Sequence, residues 1–142
     1  MAQPPRVILD TSVIIAGLIS PHGGSAKVIQ ACCRGTLLCA VSDSTGDEIS
    51  RNIDKVGGGV LPGYRALLSS GLGVVNPTSS AVDSFTSFTD PDDAHLLAAC
   101  DEWEADYLVS LNRKHLLGNE RAQSSVRARI ITPKKLIEGL GL

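Results

Sequence analysis

Aromatic side chains are scarce in this chain: one Trp, two Tyr and two Phe amount to 4% of 142 residues. That is too few for base-stacking platforms, so any nucleic-acid partner would have to be held by charge. No apolar run approaches the roughly 18 residues of a membrane helix. Nothing ahead of Asp10 resembles a signal peptide, because Pro4-Pro5 stands there without a long apolar stretch. The four cysteines, Cys32, Cys33, Cys39 and Cys100, form no CxxC pair and have no partnered His spacing. They read as small buried hydrophobes, and with no membrane segment they point to a reduced, cytoplasmic setting. Gly57-Gly58-Gly59 is followed by no Gly-Lys-Ser/Thr and preceded by no strand, which excludes a phosphate-binding loop of the nucleotide-binding kind.

What is present is the composition of an ordinary soluble domain, 43% hydrophobic and 20% charged. The length suits one domain, residues 1–142. The net charge of −2 is unevenly spread. Residues 1–112 carry 6 Lys and Arg against 13 Asp and Glu, a balance of −7, while residues 113–142 carry 7 against 2, a balance of +5. Such asymmetry fits a cation at one end and an anionic partner at the other, although solvated faces give the same count.

The chain is organised around RVILDTSVI, Arg6 to Ile14. Its unbroken Val7-Ile8-Leu9 run suits a strand covered on both faces, and the Asp10-Thr11-Ser12 that closes it marks the carboxyl end, where ligands of open parallel sheets bind. Helices are expected from Ser12 to Ile19 and from Ser25 to Arg34, the second stopped by Gly35. Leu37 to Val41 is a second strand, and a helix from Thr45 to Val56 follows with Ile49, Ile53 and Val56 on its inner stripe. A short helical piece around residues 63–70 and a strand at Gly73 to Asn76 come next. Residues 78–89 hold seven Ser or Thr in twelve and read as a loop. Asp90-Pro91-Asp92-Asp93 opens a helix with Pro at its first position and acids in its first turn, and Ala94 to Trp103 forms its body. Asp106 to Ser110 is a strand, Leu116-Leu117 a short helix, Arg129 to Ile131 the last strand, and Pro133 starts a terminal helix. This alternation predicts an α/β fold with a mostly parallel sheet of about five strands and helices on both faces.

In such a sheet Asp10, Glu48 and the pair Asp92/Asp93 meet beyond one edge, joined there by Asn112. Crowded carboxylates repel, and a hard divalent cation such as Mg²⁺ or Mn²⁺ is the usual way to offset that repulsion. An oxygen-lined ion of this kind can polarise a phosphodiester and activate a water. Each acid also has a structural explanation. Asp10 can cap the first helix, Thr45-Gly46-Asp47-Glu48 has the form of a capping box, and Asp93 would fall at the third position of a helix capped by Asp90.

VILDTSVIIAGL, VSDSTGDEI, DPDDAHLLAAC, ADYLVSLNRKHLL and RIITPKKLI, from Arg6 to Ile137, resemble the successive blocks of a PIN domain, and more narrowly of the bacterial PIN proteins classed as toxins of toxin–antitoxin systems. The resemblance implies a three-layer α/β/α sandwich and a Mg²⁺- or Mn²⁺-dependent ribonuclease, often homodimeric and often neutralised by an antitoxin. It carries the family's three acids onto Asp10, Glu48 and Asp93, with Asp92 alongside. Thr11 matches the hydroxyl residue after the first acid, and Ser12 falls where the family commonly has Asn. Where the family often has Thr-Gly-Asp after the fourth strand, this chain has Ser110-Leu111-Asn112, so a neutral oxygen stands in for a charged metal ligand. Thr11, Ser12 and Ser110 are the expected contacts to an RNA substrate, joined on charge by Arg113 and Lys114, the cations of the basic segment that lie just past Asn112, although that segment could equally form a solvated face or dock an acidic antitoxin. The second function class is a PIN-fold RNA- or protein-binding module with weak or no catalysis, for which Asn112 is the main argument. A haloacid-dehalogenase-like phosphatase would need a second acid two residues after Asp10, where Ser12 stands.

Overall fold

The computed structural model describes residues 3–142, without the side chain of Ile53. Five strands, β1 (Arg6–Leu9), β2 (Leu38–Ser42), β3 (Gly73–Val75), β4 (Tyr107–Val109) and β5 (Arg129–Ile131), form one sheet in the order β3-β2-β1-β4-β5. Every pairing is parallel, with Val7 set between Cys39 and Tyr107 and Ile8 between Ala40 and Leu108. The lack of alternation in β1 has the expected cause. Val7 and Leu9 point into one apolar layer with Val41 and Val109, while Ile8 points into the other with Ala40, Leu108 and Ile130. Successive side chains on a strand face opposite ways, so a strand with a core on each side must be apolar at every position.

The first layer is completed by α1 (Thr11–Ile19), α2 (Gly24–Cys33), α3 (Thr45–Arg51), α5 (Val60–Ser69) and α9 (Pro133–Leu140), and the second by α6 (Ser79–Phe85), α7 (Ala94–Trp103) and α8 (Glu120–Ser125). This is the expected three-layer α/β/α sandwich. A four-residue helix, α4 (Ile53–Val56), separates α3 from α5. The helix expected to run unbroken from Thr45 to Val56 is therefore interrupted at Asn52, whose side-chain amide donates to the Glu48 carbonyl at 2.7 Å and whose backbone leaves helical geometry. The position of Ile53 on the inner stripe lies outside the described side chains.

Three further expectations need correction. Residues 78–89 are not a loop: Thr78 caps α6 by accepting from the Ala81 N–H at 3.1 Å, and Phe85 is buried against α7. The Ser and Thr residues occupy the cap and the wet face, which polar counting alone mistakes for irregular chain. Second, Asp90 to Asp93 is a turn, with Asp90 Oδ1 accepting from the Asp92 N–H at 2.9 Å, and α7 begins only at Ala94. Third, the cysteines are not all buried thiols. Gly35, at φ +80°, ends α2 by letting the Thr36 N–H reach the Ala31 carbonyl. The reversal brings Cys39 of β2 back to Cys32 with Cα atoms 5.6 Å apart, and the two form a disulfide. Cys33 is exposed, and Cys100 alone is a buried free thiol. Among the described residues no helix is long and apolar enough to cross a membrane.

Candidate active site

β1 and β4 are neighbours in the sheet, yet the chain leaves β1 toward β2 and β3 before returning to β4 on the other side. The order reverses between them, and in open parallel sheets the crevice outside the carboxyl ends at such a reversal is where ligands bind. Asp10 stands there at the end of β1, 4% exposed, and Ser110 stands at the end of β4, fully buried. The Ser110 hydroxyl donates to Asp10 Oδ2 at 2.6 Å, and the Ser12 hydroxyl donates to the same oxygen at 3.0 Å. Ser12 Oγ also accepts the Leu111 N–H at 3.2 Å, and Ser110 Oγ accepts the Asn112 N–H at 2.9 Å. Two hydroxyls thus tie the loop after β4 to the loop after β1, with the Asp10 carboxylate as the knot.

None of the three acids caps a helix through its side chain. Asp10 and Asp93 occupy N-cap positions of α1 and α7, but neither carboxylate bonds its helix as a cap. The capping box does not form either. The Glu48 N–H goes to the Ser44 carbonyl at 3.0 Å, and the buried Thr45 hydroxyl has no partner among the described residues. The Glu48 carboxylate instead meets His95 at ion-pair distance, Oε1 2.7 Å from Nε2, although neither atom has a partner in hydrogen-bond geometry among the described residues. His95 Nδ1 in turn makes a short hydrogen bond with Ser42 Oγ at the end of β2. Ser42 Oγ also accepts the Ser44 N–H at 3.1 Å, so this one hydroxyl ties the end of β2 to both α7 and the start of α3.

The electrostatics mark the same group. Burial pushes the Asp10 carboxyl up, and nearby Glu48 adds to this against the hydrogen bonds from Ser110 and Ser12. Asp93 is pushed from 3.8 to about 6, first by burial, then by Asp10, with smaller contributions from Asp90 and Glu48. Glu48 thus raises both Asp10 and Asp93, and Asp10 raises Asp93, which is the signature of negative charge short of a positive partner. The donor chemistry fits a hard divalent cation held by carboxylate oxygens. Among the described residues, however, no three His, Cys, Asp or Glu side chains converge tightly enough to hold an ion by themselves. An ion such as Mg²⁺, which usually keeps several waters and takes only one or two carboxylates directly, suits a group of this spacing better than one that demands a closed protein cage.

The other expected site residues are placed as follows. Asp92 is exposed and lies outside the group; Asp90, not Asp92, adds to the field on Asp93. Asn112 does not offer its oxygen to the site. Oδ1 accepts the His115 N–H at 3.0 Å and caps the π-helical turn Arg113–Leu117, so Nδ2 faces Asp93 Oδ2 at 3.3 Å. Thr11 is buried, its hydroxyl without a partner among the described residues, and Ser110 is buried with its hydroxyl on Asp10. Arg113 and Lys114 are exposed beside Asn112. The two residues that sequence reasoning missed are His95 and Ser42. The available signal was one imidazole inside the apolar run Ala94 to Cys100 of α7.

A family model described as a PIN domain matches residues 6–114, more than two thirds of the chain. No curated protein matches it.

Proposed function

The chain belongs to the PIN domain family, whose members are generally nucleases, and from that premise we propose that it is a Mg²⁺- or Mn²⁺-dependent endoribonuclease folded as one domain. The observation that carries this reading is the juxtaposition of Asp10, Glu48 and Asp93 beyond the β1/β4 reversal, none of them engaged as a side-chain helix cap, with Glu48 raising Asp10 and both of these raising Asp93. These three would hold the ion. When bound, such an ion neutralises phosphate charge and lowers the pKa of an attacking water.

The chain's own contributions are orientation and charge. Ser110 and Ser12 fix Asp10 through one oxygen and leave Oδ1 outside those two bonds. His95 Nε2, 2.7 Å from Oε1, would orient Glu48 by charge. Arg113 and Lys114 present cations next to the carboxylates, where an RNA phosphate would otherwise be repelled. A toxin role, a neutralising antitoxin and a homodimer are part of the same proposal, as is a cytoplasmic location, for which the Cys32–Cys39 disulfide removes the argument from reduced thiols. Incubation of the purified chain with a mixed RNA pool, with Mg²⁺, Mn²⁺ or EDTA, tests it. Cleavage by the parent and none by Asp10→Asn is the expected result, and equal cleavage by both would overturn it.

One observation favours a second reading, a PIN-fold binding module with weak catalysis. Asn112 puts an amide nitrogen, not a carboxylate, against Asp93. Binding of RNA without cleavage under any divalent ion would decide for it.

A further inference from the structure

The seven cations of the basic segment do not form one face. Arg121 lies over the Phe88 ring, and Arg127 shares a small pocket with Asp101 and Glu104. Arg113, Lys134 and Lys135 instead line a cavity of about 480 Å³, together with Thr132 and Gln123 and against one acid, Glu138. None of the three is within ion-pair distance of a carboxylate among the described residues; the close pairs there both involve histidines. The cavity wall continues the carboxylate site. Ile131, part of its lining, accepts the N–H of Ser110, the residue that holds Asp10, at 3.1 Å, and Arg113 directly follows Asn112, which touches Asp93.

Two features of the chain shape this place. The π-helical turn at Arg113–Leu117, a rare form often found at functional sites, lifts Arg113 to the rim. Gly118 closes the turn, its N–H 2.6 Å from the Arg113 carbonyl, and a Cβ there would stand 2.7 Å from the same oxygen. Thr132 caps α9 by accepting the Lys135 N–H at 3.2 Å, which sets Lys134 and Lys135 in the first turn beside the cavity.

We propose that this cavity is a backbone-phosphate subsite for single-stranded nucleic acid, with Lys134, Lys135 and Arg113 as its cations. It rests on the nuclease reading above and adds to Arg113 two residues, Lys134 and Lys135, that lie beyond the matched segment, which ends at Lys114. Unpaired cations in a polar hollow are suited to a mobile polyanion, and a strand reaching the carboxylates from this side would have consecutive phosphates neutralised before it meets negative charge. An acidic protein partner is the competing occupant, and the test separates the two.

The experiment measures binding of a fluorescein-labelled single-stranded 12-mer, as RNA and as DNA, and of a polyglutamate peptide, from low to moderate salt. It uses full-length Asp10→Asn protein, so that cleavage does not intervene. Changing Lys134 and Lys135 to Ala should lower the log–log salt slope by about 1 to 1.5, at roughly 0.7 per phosphate contact for a single strand. Arg34→Ala, which removes one charge just before β2, at the opposite edge of the sheet, should leave the slope unchanged. Loss of slope with RNA and DNA alike supports a backbone subsite, and loss with RNA alone supports one restricted to RNA. An unchanged slope in the double variant, with the parent still binding, overturns the subsite and leaves the nuclease reading standing. Loss of polyglutamate binding with RNA binding intact overturns it in favour of an acidic partner. No RNA binding by the parent at any salt, with or without Ca²⁺, defeats the nuclease reading itself.

Discussion

His95 Nε2 stands 2.7 Å from Glu48 Oε1 while Nδ1 of the same ring meets the Ser42 hydroxyl, so one ring from α7 bridges α3 and the end of β2. The ring is 7% exposed, and the contact joins two elements that meet across the end of β2. Removing one partner of a buried polar pair costs about 1 to 3 kcal/mol. His95→Ala should therefore lower stability in urea by about that amount and weaken Mg²⁺ binding measured by calorimetry. His95→Gln, which can place an amide N–H near Glu48, should recover part of both. Equal Mg²⁺ affinity in the Ala variant and the parent would show that the ring does not position Glu48.

Asp10 is buried and pushed toward its neutral form. Asp10→Asn should abolish divalent-dependent cleavage while leaving the metal-free melting temperature equal to or above that of the parent, because a desolvated charge is removed and the hydroxyl partners remain. A collapse in melting temperature with activity per folded molecule intact would show that the carboxylate serves the fold.

The raised Asp93 carboxyl gives stability a defined pH dependence. Its folded pKa, about 6, lies above the unfolded 3.8, so the folded state binds the proton more tightly. The contribution is fully present below 3.8 and is lost as pH rises through about 6. Buried Asp10 acts in the same direction. In EDTA the melting temperature should fall across this window, Asp93→Asn should flatten the fall, and added Mg²⁺ should restore stability at the upper end. A metal-free protein that gains stability from this pair as pH rises would contradict the prediction.

Asn112→Asp replaces the amide that faces Asp93 with a carboxylate that can still accept the His115 N–H. Metal-free stability should drop through like-charge repulsion, and Mg²⁺ affinity should rise. Titration of both proteins by calorimetry checks this, and an unchanged affinity would show that position 112 stays clear of the ion.

The cysteines predict a labelling pattern. Native protein should show one rapidly reacting thiol, the exposed Cys33, while Cys100, buried and with its thiol pushed up by burial, should react only on unfolding. Reduction of Cys32–Cys39, a separation of 7 residues, should lower stability by roughly 2 kcal/mol. Four reactive thiols in unfolded, unreduced protein would show that the pair is not joined.

The sequence by itself determined the sheet and the place of the acids. A strand covered on both faces must be apolar throughout, so Val7-Ile8-Leu9, Leu108-Val109 and Ile130-Ile131 announce themselves, and the polar residue that ends each run marks the crevice side. Asp10 was legible on that ground alone, Glu48 and Asp93 by their places after the second strand and before the fourth, to which the PIN resemblance added, while the hydroxyl of Ser110 on Asp10 was not. Local chemistry was less legible where polar residues serve the backbone: the Thr78 cap hid α6 inside a Ser/Thr-rich stretch, although Ala81, Val82, Phe85 and Phe88 keep helical spacing. Only the tertiary structure decided which way each polar atom points. Asn112 and Glu48 have more than one satisfactory partner in sequence, and the choice was made by His115 and His95, which the fold brings to them through backbone turns and across 47 residues of chain. Side-chain direction depends on long-range packing, to which neither periodicity nor spacing carries a signal. The gathering of Arg113 with Lys134 and Lys135 is of the same kind, since it depends on β4 and β5 lying side by side.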